Sequence, residues 1–276
     1  MDFEVEVDTS TSIVRVPVSV NGQGPFEFDL DTGASTTTLS KKLADQLEIQ
    51  TRDGNRPEVR GVGGGIPTKY ADVSVSIGSL EFDKDEVYVL DLDAIMQSTF
   101  NRNGVLGYTT LKHCTMSLSY TNRRFKLTKS NSVLDLKWSS YNYIKDSHLI
   151  GVPVHINGKG PYDFVLDTGA GNTVVTPKLA SELDLDPILV DGIARGVGGD
   201  IPLEISAVDE LSVGAAKITN SQAVVIDVSK VSPKGGLIEN GIIGFDFLKN
   251  FEVVIDYPNQ RFSFVDERSS QVSEDT

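Results

Sequence analysis

Residues 13–39 read IVRVPVSVNGQGPFEFDLDTGASTTTL, and residues 149–175 read LIGVPVHINGKGPYDFVLDTGAGNTVV. The second stretch is a second copy of the first, with Asp167 answering Asp31. The correspondence extends outward in both directions from that pair, and a repeat of this kind is read before any single motif. RGVGGGIP at 60–67 answers RGVGGDIP at 195–202, and NGVLGYTTLK at 103–112 answers NGIIGFDFLK at 240–249. Finally, NRRF at 122–125 answers NQRF at 259–262. Four blocks in one order at nearly constant spacing make the chain two copies of a unit of about half its length. The expected organisation is a first lobe over 1–132, a second over 133–266, and a disordered tail over 267–276. The junction falls in the polar run Thr128-Lys129-Ser130-Asn131-Ser132.

Each unit reads as mostly β. Val14, Val16, Val18 and Val20 alternate with Arg15, Pro17 and Ser19, the period-2 signature of a half-buried strand. Asn21-Gly22 and Asn157-Gly158 are hairpin signals between two such runs. Alternation returns at Ala71–Ile77, Val87–Leu90, Met116–Tyr120 and Phe251–Tyr257. Two short helices per unit interrupt it. Ser40 caps KKLADQLEI, and Thr176 caps a helix with Pro177 in its first position. A second helix is expected over Thr109–His113 and over Asp246–Asn250.

The 276 residues carry 25 Lys+Arg against 39 Asp+Glu, a net charge of −14, which disfavours nucleic acid or an anionic membrane face as a partner. One cysteine, Cys114, excludes a disulfide framework and a thiolate metal cluster, and reads as a small buried hydrophobe. His113, His148 and His155 have no ligand-like spacing; they read as surface or packing residues, and no metal or other cofactor is expected. No stretch approaches the roughly 20 apolar residues of a membrane span. The start, MDFEVEVDTS, is acidic and alternating, unlike a signal peptide. The expected location is therefore soluble and cytoplasmic as written, or exported if a signal has been removed.

The chemistry resides in DLDTGAS and VLDTGAG. An apolar strand running into Thr-Gly-Ala should end in a tight turn at Gly33 and Gly169, with Asp31 and Asp167 held at strand ends. If the copies pack about a pseudo-twofold axis, the two carboxylates face each other and share one proton. One is then a general acid while the other is a general base, and together they can activate a water against an amide carbonyl. The glycine clusters lack the G-x-G-x-x-G spacing of a dinucleotide loop, so hairpins explain them better.

On these residues the chain resembles a retropepsin-like aspartic protease with two lobes fused in one polypeptide, over about 12–128 and 148–265. The resemblance implies an all-β, bilobal acid-protease fold of two β-barrel lobes with the cleft between them. It assigns Asp31 and Asp167 as catalytic and Thr32, Gly33, Thr168 and Gly169 as support, the threonines interlocking across the axis. It makes Gly61–Ile66 and Gly196–Ile201 flap hairpins, with Gly63, Gly64, Gly65, Gly198, Gly199 and Asp200 touching substrate. Val105-Leu106-Gly107 and Ile242-Ile243-Gly244 are implied to thread beneath the catalytic loops. The implied substrate is an extended peptide or unfolded protein, cleaved by a monomer because both half-sites lie on one chain. The alternative is a peptide-binding scaffold of the same fold without catalysis.

Comparison of the copies adds three expectations. Ala34 and Ala170 stand where pepsin-type lobes often have Ser or Thr, which points to a less acidic optimum. Ser35, opposite Gly171, could donate to Asp31 and make it the easier carboxylate to ionise. Asp29 and Val165 should project to the same side as the catalytic aspartates. They are candidate walls for two unlike subsites, one acidic and one apolar; the competing role for Asp29 is pairing with Arg15 or Arg124 to brace the turn.

Overall fold

Valines at every second position of strand Arg15–Val20 are fully buried while the residues between them are half-exposed, so the strand has one face on a core and one towards water. The computed structural model describes residues 2–54, 58–61, 64–96, 102–129, 135–196, 199–228 and 237–267. Asn21 and Gly22 close the hairpin to Gln23–Leu30 with φ of 49° and 74°, and Asn157 and Gly158 repeat the turn with 50° and 76°. Both turn residues lie in the left-handed region, which Asn and Gly tolerate best and which matches the twist of the flanking strands.

In the first lobe a closed barrel runs through Arg15–Val20, Gln23–Leu30, Gly104–Leu106, Thr38–Ser40, Leu80–Leu90 and Lys69–Ile77. The second lobe repeats it with Ile150–Ile156, Lys159–Leu166, Gly241–Ile243, Val174–Val175, Ala216–Val225 and Gly199–Val213, closed by pairing of its first and last members. Gln23–Leu30 pairs in parallel with Gly104–Leu106, and Lys159–Leu166 with Gly241–Ile243. The short helices fall where capping signals place them. Ser40 Oγ accepts from Leu43 N at 3.0 Å to open Lys41–Gln46, and Thr176 Oγ1 accepts from Leu179 N to open Pro177–Glu182. Helices Tyr108–Leu111 and Phe245–Leu248 each begin one residue earlier than the pattern predicts.

A third layer joins the lobes. Asp2–Glu6, Arg124–Thr128, Thr115–Ser119, Glu252–Asp256, Arg261–Val265 and Ser139–Ser140 form one six-stranded sheet. Its centre is the antiparallel pairing of Thr115–Ser119 with Glu252–Asp256, one strand from each lobe. The main apolar core is continuous from the first barrel through this sheet into the second, so the copies fold as one body. Glu267, the first residue of the expected tail, is buried and accepts from Ser119 Oγ and Asn122 Nδ2. Residues 268–276, and the junction residues Ser130, Asn131 and Ser132, lie outside the described residues. Cys114 is buried, which pushes its thiol up to about 12 and leaves it a packing group.

Candidate active site

The strand Gln23–Leu30 delivers Asp31 to the middle of the molecule, and Lys159–Leu166 delivers Asp167 to the same place from the other lobe. Each aspartate is anchored by its backbone: Asp31 N donates to Leu106 O at 3.1 Å, and Asp167 N to Ile243 O at 3.0 Å. Leu106 and Ile243 belong to the late apolar-apolar-Gly motifs, which pass beneath the turns as expected. Gly107 and Gly244 are needed there because a Cβ would meet the carbonyls of Thr36 at 2.7 Å and Asn172 at 2.4 Å. Tyr108 N and Phe245 N, one residue on, donate to Ala34 O and Ala170 O.

The turns interlock. Thr32 Oγ1 donates to Leu166 O at 2.8 Å and accepts from Thr168 N at 3.0 Å. Thr168 Oγ1 donates to Leu30 O at 3.0 Å and accepts from Thr32 N at 3.1 Å. Both threonines are 1% exposed, so four buried polar groups depend wholly on this exchange. Gly33 N and Ala34 N donate to Asp31 Oδ1 at 2.8 and 2.9 Å, and Gly169 N donates to Asp167 Oδ1 at 2.8 Å. A Cβ on Gly33 would fall 2.6 Å from Asp167 Oδ2, and one on Gly169 would fall 2.5 Å from Asp31 Cγ. Each turn glycine is therefore pressed against the opposite lobe's carboxylate, and any side chain would separate the pair.

Each carboxyl keeps one edge towards solvent, but protein surrounds the rest. Burial raises Asp31 well above the usual carboxylate range; the adjacent Asp167 charge and a hydrogen bond between the two carboxyls add to that rise. Burial also raises Asp167, while the Gly169 amide, the Asp31 carboxyl and further amides stabilise its ionised form. Both carboxyls are thus raised, and a pair this close holds one proton between them. The Ser35 hydroxyl does not reach the carboxylate as expected: among the described residues Asp31 accepts from Gly33 and Ala34, not from Ser35.

A family model described as aspartyl protease matches residues 16–110 and again 152–247. The chain belongs to the aspartyl protease family. The two matches coincide with the two barrels, so the duplication read from sequence is a duplication of the family's unit. Comparison with curated proteins finds no match.

The glycine-rich segments of this aspartyl protease chain are antiparallel hairpins. Glu58–Gly61 pairs with Gly64–Pro67, placing Gly61 opposite Gly64 and Arg60 opposite Gly65. Ile188–Gly196 pairs with Gly199–Val213, placing Gly196 opposite Gly199 and Arg195 opposite Asp200. Gly63 and Gly198 lie outside the described residues.

The two predicted subsite walls need correction. Asp29 is 5% exposed and clamped between Arg15, 3.1 Å from Oδ1, and Arg102 on Oδ2; it is a compensated ion, not an acidic wall. Arg124, the other partner considered, pairs with Glu4 instead. Val165 is 1% exposed and packs in an aliphatic cluster with Leu149, Val174 and Ile242, so it is a core residue that presents no surface. Asp29→Val is therefore expected to destabilise the protein by about 3 kcal/mol, since it strands two guanidiniums around an apolar side chain. Thermal unfolding checks this; a stable variant with altered cleavage preference would restore the subsite role.

Sequence reasoning missed two further features. Tyr120 and Tyr257 are equivalents in the two copies, buried, and pushed up by burial and by the nearby Asp31 and Asp167 carboxyls. Each packs on the opposite lobe's helix, Tyr120 against Phe245 at 5.3 Å between ring centroids and Tyr257 against Tyr108 at 6.2 Å. Among the described residues neither hydroxyl has a hydrogen-bond partner. Their signal was present, since both stand two residues before the repeated Asn of the fourth block. The other feature is His148, whose Nε2 lies 2.8 Å from Gly33 O.

Proposed function

We propose that the protein is an aspartic endopeptidase in which Asp31 and Asp167 activate one water against a peptide bond. The observation that carries this reading is the interlock: two carboxylates, one from each copy, pressed against each other's turn glycine by a reciprocal pair of threonines. Such a pair is paid for by the surrounding fold, because two adjacent buried carboxyls cannot both ionise.

In the reaction, the water oxygen bonds to the scissile carbonyl carbon while its proton passes to Asp167. Asp31 gives its proton to the carbonyl oxygen, producing a gem-diol. The carbon–nitrogen bond then breaks as the nitrogen takes the proton from Asp167, and one diol hydroxyl returns a proton to Asp31. The pair ends in its starting state. Substrate lies extended between the lobes, paired through its backbone as an added strand. Backbone of the two hairpins at Gly64, Gly65, Gly199 and Asp200 covers it and excludes water.

Pepstatin-sensitive cleavage of an unfolded protein at mildly acidic pH tests the reading. Its absence would leave the peptide-binding alternative. Because both half-sites belong to one chain, the rate is expected to stay proportional to enzyme concentration on dilution through the nanomolar range. A rate falling with the square of concentration would place the working pair between chains.

A further inference from the structure

His148 stands on the turn just before strand Ile150–Ile156, half-buried, and reaches from the second lobe to the catalytic turn of the first. Its Nε2 is 2.8 Å from the carbonyl oxygen of Gly33. A carbonyl only accepts, so Nε2 carries a proton and donates it. The peptide that begins with this carbonyl ends with the Ala34 N–H, which donates to Asp31 Oδ1 at 2.9 Å. Imidazole, peptide and carboxylate thus form one hydrogen-bonded chain, and donation to the oxygen of a peptide strengthens donation from its nitrogen. The ring is flanked by Tyr108, 6.1 Å between centroids, whose own N–H holds Ala34 O at 2.9 Å. The titratable groups gathered here are Asp31 and Asp167 at the turns, Tyr108, Tyr143 on the Tyr108 ring, and Lys112, whose Nζ is 5.8 Å from that ring.

The pseudo-twofold does not repeat this contact. Ser12 occupies the position equivalent to His148, and its hydroxyl lies near Gly171 instead, 3.4 Å from where a Cβ there would be. Among the described residues Gly169 O receives no hydrogen bond from Ser12. His148 therefore marks the first turn and not the second, beside the Ser35-for-Gly171 difference within the turns themselves.

We infer that His148 is a positioning residue for the first catalytic turn: it donates to the Gly33 carbonyl and holds the Gly33–Ala34 peptide so that the Ala34 N–H stays on the Asp31 carboxylate. Its role is to stabilise, on one side only, the ionised form of the carboxyl that accepts the Ala34 N–H, so that Asp31 can give up a proton during turnover.

The inference rests on the dyad reading, so its test is read first without substrate. The side-chain carboxyl carbons of Asp31 and Asp167 are titrated by NMR in the wild type, His148→Met and His148→Gln. Methionine matches the reach of the ring without an N–H; glutamine restores an N–H at about the same place. The Asp31 midpoint is expected to rise in His148→Met by about half a unit to one unit, the effect of one hydrogen bond to the charged form, and to return in His148→Gln. On a peptide substrate, kcat in His148→Met should fall about tenfold with KM little changed, its acid limb moving up in step, and His148→Gln should recover most of the loss. An unmoved Asp31 midpoint in folded His148→Met, or a glutamine variant as impaired as the methionine one, would overturn the inference. A gain in kcat/KM on losing the imidazole would do so too, by showing that the ring stands in the substrate's way. The wild type supplies an independent check: nitrogen-15 shifts should show Nε2 protonated at neutral pH, and a Nδ1–H tautomer would refute donation to Gly33. A wild type that cleaves nothing would defeat the dyad reading and leave the carboxyl titration to decide this one.

Discussion

Asp31→Asn and Asp167→Asn are each expected to lower kcat by about 10⁴-fold, and the double substitution to cost little more. Either change removes half of a proton-sharing pair, and a single remaining carboxyl cannot be acid and base in the same step. The same substitutions should make the protein more stable at neutral pH. Both the Asp31 and the Asp167 carboxyls are raised in the folded state, so folding takes up protons. Their favourable contribution is complete below the unfolded carboxylate value of about 3.9 and is lost as pH rises through the folded values. Asparagine escapes that loss. Thermal unfolding of Asp31→Asn should therefore show a higher Tm than wild type at neutral pH, with the gap closing towards about pH 4. An inactive variant that is also less stable at neutral pH would mean that Asp31 is held by a compensating charge.

The second large effect is on the interlock. Thr32→Val keeps the volume of the side chain but leaves Leu166 O and Thr168 N–H without partners in a site closed to water. Two orphaned buried groups cost about 2–4 kcal/mol, and Tm should fall by about 10 °C. Thr168→Val should match it through Leu30 O and Thr32 N–H. The double variant should lose less than the sum, because losing either half of the exchange already releases the two turns from each other and loosens the other half. Activity should fall more than stability, since the turns that hold the carboxylates are the elements released. Thr32→Ser, which keeps the hydroxyl, should be close to wild type. Additive losses would show that the two threonines act separately.

What could be read from the chain, and what could not, divides by range. The alternating valines before Asn21-Gly22, the capping residues Ser40 and Thr176, and the repeated Asp-Thr-Gly are local signals, and they locate the strands, helices and turns of both barrels. The interlobe sheet has no local signal: nothing in Thr115–Ser119 names Glu252–Asp256 as its neighbour, or Asp2–Glu6 as a partner for Arg124–Thr128. The same holds for side chains that meet across the fold. Arg15 was within reach of Asp29 by strand pairing, but Arg102 arrives from a distant loop. Ser35 is close to Asp31 in sequence, yet the turn points Ala34 N, not a hydroxyl, at the carboxylate. His148 looked like any isolated histidine because its partner is a backbone carbonyl, which no sequence pattern marks.

The central claim is that one proton shared by Asp31 and Asp167 drives hydrolysis within a single chain. The most direct measurement is kcat/KM on an internally quenched peptide from about pH 3 to about pH 8, for wild type and for the Asp31→Asn/Asp167→Asn double variant. The account predicts a bell, with one limb for each macroscopic ionisation of the pair, and no measurable cleavage by the double variant. A wild-type profile governed by a single ionisation, or cleavage that survives in the double variant, would contradict it.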